Sequence, residues 1–130
     1  MFPNERKINK IFQYWLFASL ILVFSIIIVG GLTRLTDSGL SITEWELFKG
    51  ILPPLSSDQW NFYFNEYKKI PEYKEINFNM TVKEFKVIYY WEYIHRLIAR
   101  LIGLVSIIPL VFIYFKFKDN LSKNYKYFLI

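Results

Sequence analysis

The sequence contains no cysteine and only one histidine in its 130 residues. Without cysteine there is no disulfide framework, no thiolate metal site and no cysteine nucleophile. A single histidine, His95, does not by itself make a bis-histidine site. Charge is missing from long stretches: residues 11–32 carry none, and residues 97–115 carry only Arg100. With 54% apolar residues and charge this unevenly spread, the composition is that of a membrane protein rather than a soluble core. An A-x-A-like cleavage site after the first apolar run is also lacking, and the run is longer than a typical signal h-region, so a retained anchor is expected. No internal repeat is present, and the length allows one domain at most.

The charges that are present cluster. Arg6, Lys7 and Lys10 stand against Glu5 at one end, and Lys116, Lys118, Lys123 and Lys126 against Asp119 at the other. Residues 33–88 are close to neutral, with seven basic and eight acidic side chains. This is the positive-inside pattern, with both ends cytoplasmic, or on the matrix side, and the middle outside. The net charge of +5 is therefore assigned to a lipid bilayer and not to nucleic acid.

The expected organisation is a cytoplasmic N-terminus (1–10), a first transmembrane helix (11–32), an external segment (33–86), a second transmembrane helix (87–115) and a cytoplasmic segment (116–130). The 22 residues of the first run span about 33 Å as a helix, enough to cross a bilayer core. Tyr14 and Trp15 mark its cytoplasmic edge as an aromatic belt. Pro109 is expected to kink the second span. A third apolar run begins at Tyr125 and reaches Ile130. In the external segment, Asp37-Ser38-Gly39, Lys49-Gly50 and Pro53-Pro54 signal turns. Ser57 reads as the N-cap of an amphipathic helix over 57–69 bearing Trp60, Phe62, Phe64 and Tyr67, ended by Pro71. Thr81 and Glu84 stand at capping-box spacing and open a helix that runs into the second span. So many aromatics predict a segment that lies on the membrane surface or lids the helices.

On the second helix Glu92, His95, Arg96, Ala99 and Gly103 share one face, with the polar trio at its outer end. Ionisable groups within a span are expensive and usually functional. Imidazole is a common donor to haem iron and transition metals. Small residues below it would let a flat macrocycle or another helix approach. Glu92 could accept a proton or act electrostatically, and Arg96 and Arg100 could pair with propionates. Plainer readings stand beside these. His95 could hydrogen-bond another helix, Glu92 and Arg96 could form an ordinary ion pair, and Ala99 and Gly103 could serve packing. Arg34 and Asp37 read equally as an interface anchor and a turn.

Four stretches resemble the haem A synthases of the cytochrome oxidase assembly pathway. They are Gly30-Gly31-Leu32-Thr33-Arg34-Leu35-Thr36-Asp37-Ser38-Gly39-Leu40-Ser41 with Trp45; Pro53-Pro54-Leu55-Ser56 with Trp60; Tyr67 to Tyr73 with Asn79-Met80-Thr81 and Glu84-Phe85-Lys86; and Trp91-Glu92-Tyr93-Ile94-His95-Arg96 with Gly103-Leu104. The resemblance implies an eight-helix membrane protein of two four-helix halves that oxidises a methyl of haem O to a formyl. By its matching positions, His95 is expected to ligate haem iron and Glu92 to be the acidic residue needed beside it. Beyond those matches, Arg96 is expected to help hold propionates, with Arg34 a weaker candidate for the same role. Haem O is then the substrate and haem b the cofactor of the other half. Haem O synthase, oxidase assembly factors and further copies of the chain come with the resemblance as expected partners, and the inner membrane, bacterial or mitochondrial, as the location. Some bacterial relatives carry a cysteine pair in the first external loop. The chain lacks it and so resembles the mitochondrial type and its bacterial relatives. With two spans and no partner histidine it is expected to be an N-terminal piece, inactive alone. The alternative expectation is a non-catalytic haem-binding or assembly protein.

Overall fold

A computed structural model describes residues 3–44 and 49–117. Trp45 and the apolar run from Tyr125 lie outside the described residues. Among the described residues there is no strand. The elements are α1 (Pro3–Leu35), a 3-10 turn (Lys49–Ile51), α2 (Ser57–Tyr67), α3 (Pro71–Glu75) and α4 (Val82–Phe117). Asn9–Leu35 in α1 and Val82–Phe112 in α4, 27 and 31 residues long, are long and apolar enough to cross a membrane. In hydrocarbon a helix satisfies its own backbone, which a lone strand or loop cannot do. Side chains such as Leu20, Phe24 and Ile27 are largely bare, as lipid-facing positions are. The chain is an all-α integral membrane protein.

Two compact units make up the fold, one from Met1–Ser25 with Ala99–Ile130 and the other from Ile26–Ile98. The first is organised around a proline. Pro109 lies inside α4 and lacks the N–H that would bond the carbonyl of Val105. Trp15 of α1 donates its indole Nε1–H to that carbonyl at 2.7 Å. An orphan carbonyl in a bilayer would cost several kcal/mol, so the indole makes the proline tolerable. Phe12, buried beside it, meets the Trp15 ring edge-on at 5.8 Å between centroids. Trp15 is thus a helix-to-helix donor, and α4 continues as helix past Pro109 to Phe117.

The second unit is built on aromatic packing. On α2, Trp60, Phe64 and Tyr67 recur at helical spacing and bury against Phe85, Ile88 and Tyr89 on the first turns of α4. Rings meet at 5.0 Å (Trp60–Tyr89), 5.1 Å (Phe64–Phe85) and 5.2 Å (Tyr67–Phe85). The aromatics between the two spans therefore form a core of their own with the start of α4. Ser56, rather than Ser57, caps α2, because Gln59 three residues on closes both halves of a capping box. The helix ends at Tyr67, two residues short of Lys69, and Pro71 opens α3 at its first turn instead of merely stopping α2. Thr81 and Glu84 close the capping box at the start of α4, with Thr81 N donating to Glu84 Oε2 at 2.8 Å and Glu84 N to Thr81 Oγ1 at 3.3 Å.

The end of α1 is a Schellman turn. Ser38 N donates to Thr33 O at 2.9 Å and Asp37 N to Arg34 O at 3.4 Å, with Asp37 left-handed at φ 46°. Asp tolerates that region; Leu40, also left-handed at φ 71°, does not, at a cost of about 1–2 kcal/mol. Gly39, the residue that could adopt it freely, does not.

Two outcomes test these contacts. Trp15→Phe should destabilise the protein in detergent by about 1–3 kcal/mol, the cost of an unsatisfied buried carbonyl. The same substitution should cost much less on a Pro109→Ala background, where the backbone supplies the donor; equal costs would dissociate the indole from the proline. Tyr67 is fully buried, and burial raises its phenol pKa above the ordinary 10.0, against the opposing bond donated by Asn77. A raised native value means stability is intact below about pH 10 and falls as pH climbs through the raised value. Tyr67→Phe should remove that part of the alkaline loss of melting temperature.

Candidate functional site

Both carboxylate oxygens of Glu92, buried one turn beyond the aromatic core, are engaged. Oε2 accepts from Ser41 Oγ at 2.7 Å and from the backbone N–H of Ile42 at 2.9 Å. Oε1 accepts from Arg96 Nε at 2.9 Å and Nη2 at 2.5 Å. Arg96 Nη2 also donates to the Ile42 carbonyl at 3.2 Å. The i,i+4 pair on α4 thus grips one residue of the segment after α1 through both its amide and its carbonyl. A buried charge needs partners of this kind to offset its lost hydration.

His95 follows Glu92 by three residues on α4. It is half-buried, and among the described residues its imidazole makes no hydrogen bond. Its ring lies against Gly30 of α1: a Cβ added at Gly30 would stand 3.2 Å from His95 Nε2 and 3.5 Å from Cδ2. A Cβ at Gly31, or at Gly103, would meet nothing within 4 Å. The close-approach glycine is therefore on α1 and not on the face below His95. Arg34 stands elsewhere in this unit. Exposed, it lines an open cleft of about 340 Å³ with Thr33, Asp37, Gly39, Leu40 and Glu72, so two carboxylates share its surroundings.

The structure brings Glu92 and Arg96 together, sets His95 over a glycine, and gives Arg34 a separate cleft. Ser41, the Ile42 backbone and Gly30 complete the arrangement. Helical periodicity did not single them out, because they come from the other helix and from a turn. Ser41 and Gly30 stand at the two ends of the Gly30-to-Ser41 stretch, which was the available signal.

No three His, Cys, Asp or Glu groups gather among the described residues. One unpartnered imidazole suits iron already held by four porphyrin nitrogens. Arg96 Nη1, which enters none of the bonds above, remains for a carboxylate. The residues fit a haem.

Fold and site together define a membrane protein with an imidazole that has no hydrogen-bond partner among the described residues, on a spanning helix beside a buried carboxylate paired with an arginine. Its place among known proteins is specific. The family described as cytochrome oxidase assembly protein (COX15-CtaA) matches residues 13–130, and the chain belongs to that family. It is 56% identical over 130 residues to the haem A synthase of Pelagibacter ubique, covering 100% of this chain and 39% of that protein. With the haem A synthase of Nitrosospira multiformis it shares 50% over 116 residues, 89% of this chain and 32% of that protein. A haem A synthase–mitochondrial ferredoxin fusion protein of Schizosaccharomyces pombe is 49% identical over 109 residues, 84% of this chain and 18% of the fusion. The chain thus spans less than two fifths of the length of these relatives. No solved structure matches it.

Gly30→Ala should push the His95 ring from its seat, and were that imidazole to hold a haem, the Soret band of that haem should shift or weaken. Gly31→Ala should leave the spectrum unchanged. Equal spectra for the two variants would show that the glycine gap does not position the imidazole.

Proposed function

We propose that the chain supplies the His95 half-site of a haem A synthase, which oxidises a methyl group of haem O to a formyl. The observation that carries this reading is a half-buried imidazole at Gly30, without a hydrogen bond among the described residues, on a span whose neighbouring carboxylate is already held by other donors. His95 would hold the iron of the substrate haem, and Arg96, through Nη1, one propionate. Glu92 fixes Arg96 and provides an ordered negative charge three residues before the ligand, in reach of assisting the proton movements that accompany oxidation of a methyl group. Arg34 is a weaker propionate holder, since Asp37 and Glu72 line the same cleft and repel an anion. With His95 the only histidine, the chain offers imidazole to one haem at a time; haem b, the cofactor of this reading, requires ligands elsewhere.

The proposed setting is the inner membrane, with the N-terminus cytoplasmic and residues 33–86 outside, following the basic clusters at the two ends. The boundaries 1–10, 11–32, 33–86, 87–115 and 116–130 are retained as topological segments, the first turns of α4 serving the external core. Haem O synthase is the natural donor of substrate, and further copies of the chain and oxidase assembly factors the proposed protein partners. The Schizosaccharomyces pombe relative is a fusion of a haem A synthase with a mitochondrial ferredoxin, which makes a one-electron carrier of that class the electron partner we propose.

In membranes of cells that make haem O, the full-length protein carrying His95→Ala should form no haem A by chromatography of extracted haems. Glu92→Gln should retain bound haem while losing conversion. Undiminished haem A from the His95 variant would overturn the proposal, and a wild type that binds haem O without converting it would make the protein a carrier.

A further inference from the structure

We infer that Ser41 is a positioning residue for Glu92, and that the turn after α1 holds one oxygen of this carboxylate while Arg96 holds the other. The inference rests on the proposed haem O reading for its consequence in catalysis, but the geometry stands without it.

Three observations converge. Ser41 is 1% exposed, and its hydroxyl, which has one proton to give, lies 2.7 Å from Glu92 Oε2 and 3.4 Å from the Ile88 carbonyl. The carboxylate is the nearer and the charged acceptor, so it takes the proton. The preceding backbone is shaped to deliver that hydroxyl. Asp37 and Leu40 are both left-handed, Ser38 is fully buried and its N–H closes the Schellman turn on Thr33. A bulky residue in the left-handed region persists only where its surroundings over-determine it, and such places gather at functional sites. Here the surroundings are the bonds from Ser41 and Ile42 to Glu92 on the next residues along. Finally, Glu92 accepts on both oxygens, so its carboxylate is fixed in rotation as well as position. Removing the Ser41 donor leaves Oε2 with the Ile42 N–H alone, and loosens the rotation of the whole carboxylate against Arg96.

Serine at this position is therefore read as a hydroxyl donor and not as a small filler. Cysteine keeps the shape, with a somewhat larger atom, but donates weakly; alanine removes the donor, and threonine keeps it.

The test uses the full-length protein with Ser41→Ala, Ser41→Cys and Ser41→Thr. Infrared difference spectra, with the Glu92 carboxylate band assigned by its loss in Glu92→Gln, read positioning directly. Conversion of haem O reads its consequence. Alanine and cysteine are expected to shift the band and lower kcat by on the order of tenfold or more, with KM within about twofold, the size of one lost bond to a charged group. Threonine should restore both. A cysteine variant that matches the wild type would overturn the inference, because volume and not the hydroxyl would then be what counts. An alanine variant with an unmoved band would overturn it as well. If the band shifts in the alanine and cysteine variants while the wild type itself makes no haem A, Ser41 is confirmed as a positioning residue and the haem O reading falls. Should threonine overpack the site and fail to fold, the cysteine and alanine pair alone decides.

Discussion

The Glu92 carboxylate is the constraint around which the second unit is arranged. A buried charge left with one partner fewer typically costs about 3–5 kcal/mol, so each of its donors must be delivered reliably. Arg96 comes at no topological cost, being one turn away on the same helix. Ser41 and Ile42 come from 51 and 50 residues distant, and everything between must fold so as to bring them back. The aromatic core of α2 on Phe85, Ile88 and Tyr89 does this on the turn immediately before Glu92. His95 then follows on a helix already fixed in place, so packing between the two spans sets the geometry of a residue in the second.

The two helices could be read from charge depletion, because a bilayer punishes charge and unpaired backbone alike. Thr81 with Glu84 could be read from spacing, since a capping box is a local interaction. Glu92, His95 and Arg96 could be read because ionisable residues in a span stand out against their background. What could not be read depends on meetings between distant segments. Gly30 is one of two adjacent glycines, and nothing local says that it, rather than Gly31 or Gly103, faces the imidazole. Ser41 looks like any loop serine. The cap moved from Ser57 to Ser56 because two serines compete and only Gln59 at the right spacing decides. Trp15 and Pro109 each had a local explanation, as a belt residue and a kink, and only the structure joins them into one hydrogen bond.

The two units solve the same backbone problem in different media. In the first, an aromatic side chain supplies a donor that the helix lacks, in a region where water cannot substitute. In the second, aromatic rings exclude water from the first turns of α4, and the strong pairs are charge-assisted bonds formed behind that shield. Most of the residues that resemble the haem A synthases lie in the second unit, while the family match runs through both.

Tyr93 donates its hydroxyl to the Ile51 carbonyl at 2.5 Å, while Ile42 is gripped by Glu92 and Arg96. Residues 42 and 51 are therefore moored to neighbouring positions of one helix. The entropy of bringing those two points together is settled by the moorings, and it grows only slowly with the length of chain looped between them, by about 0.6 kcal/mol for each doubling. Chain length added between these two moorings is thus accommodated at small cost and without loosening the carboxylate underneath.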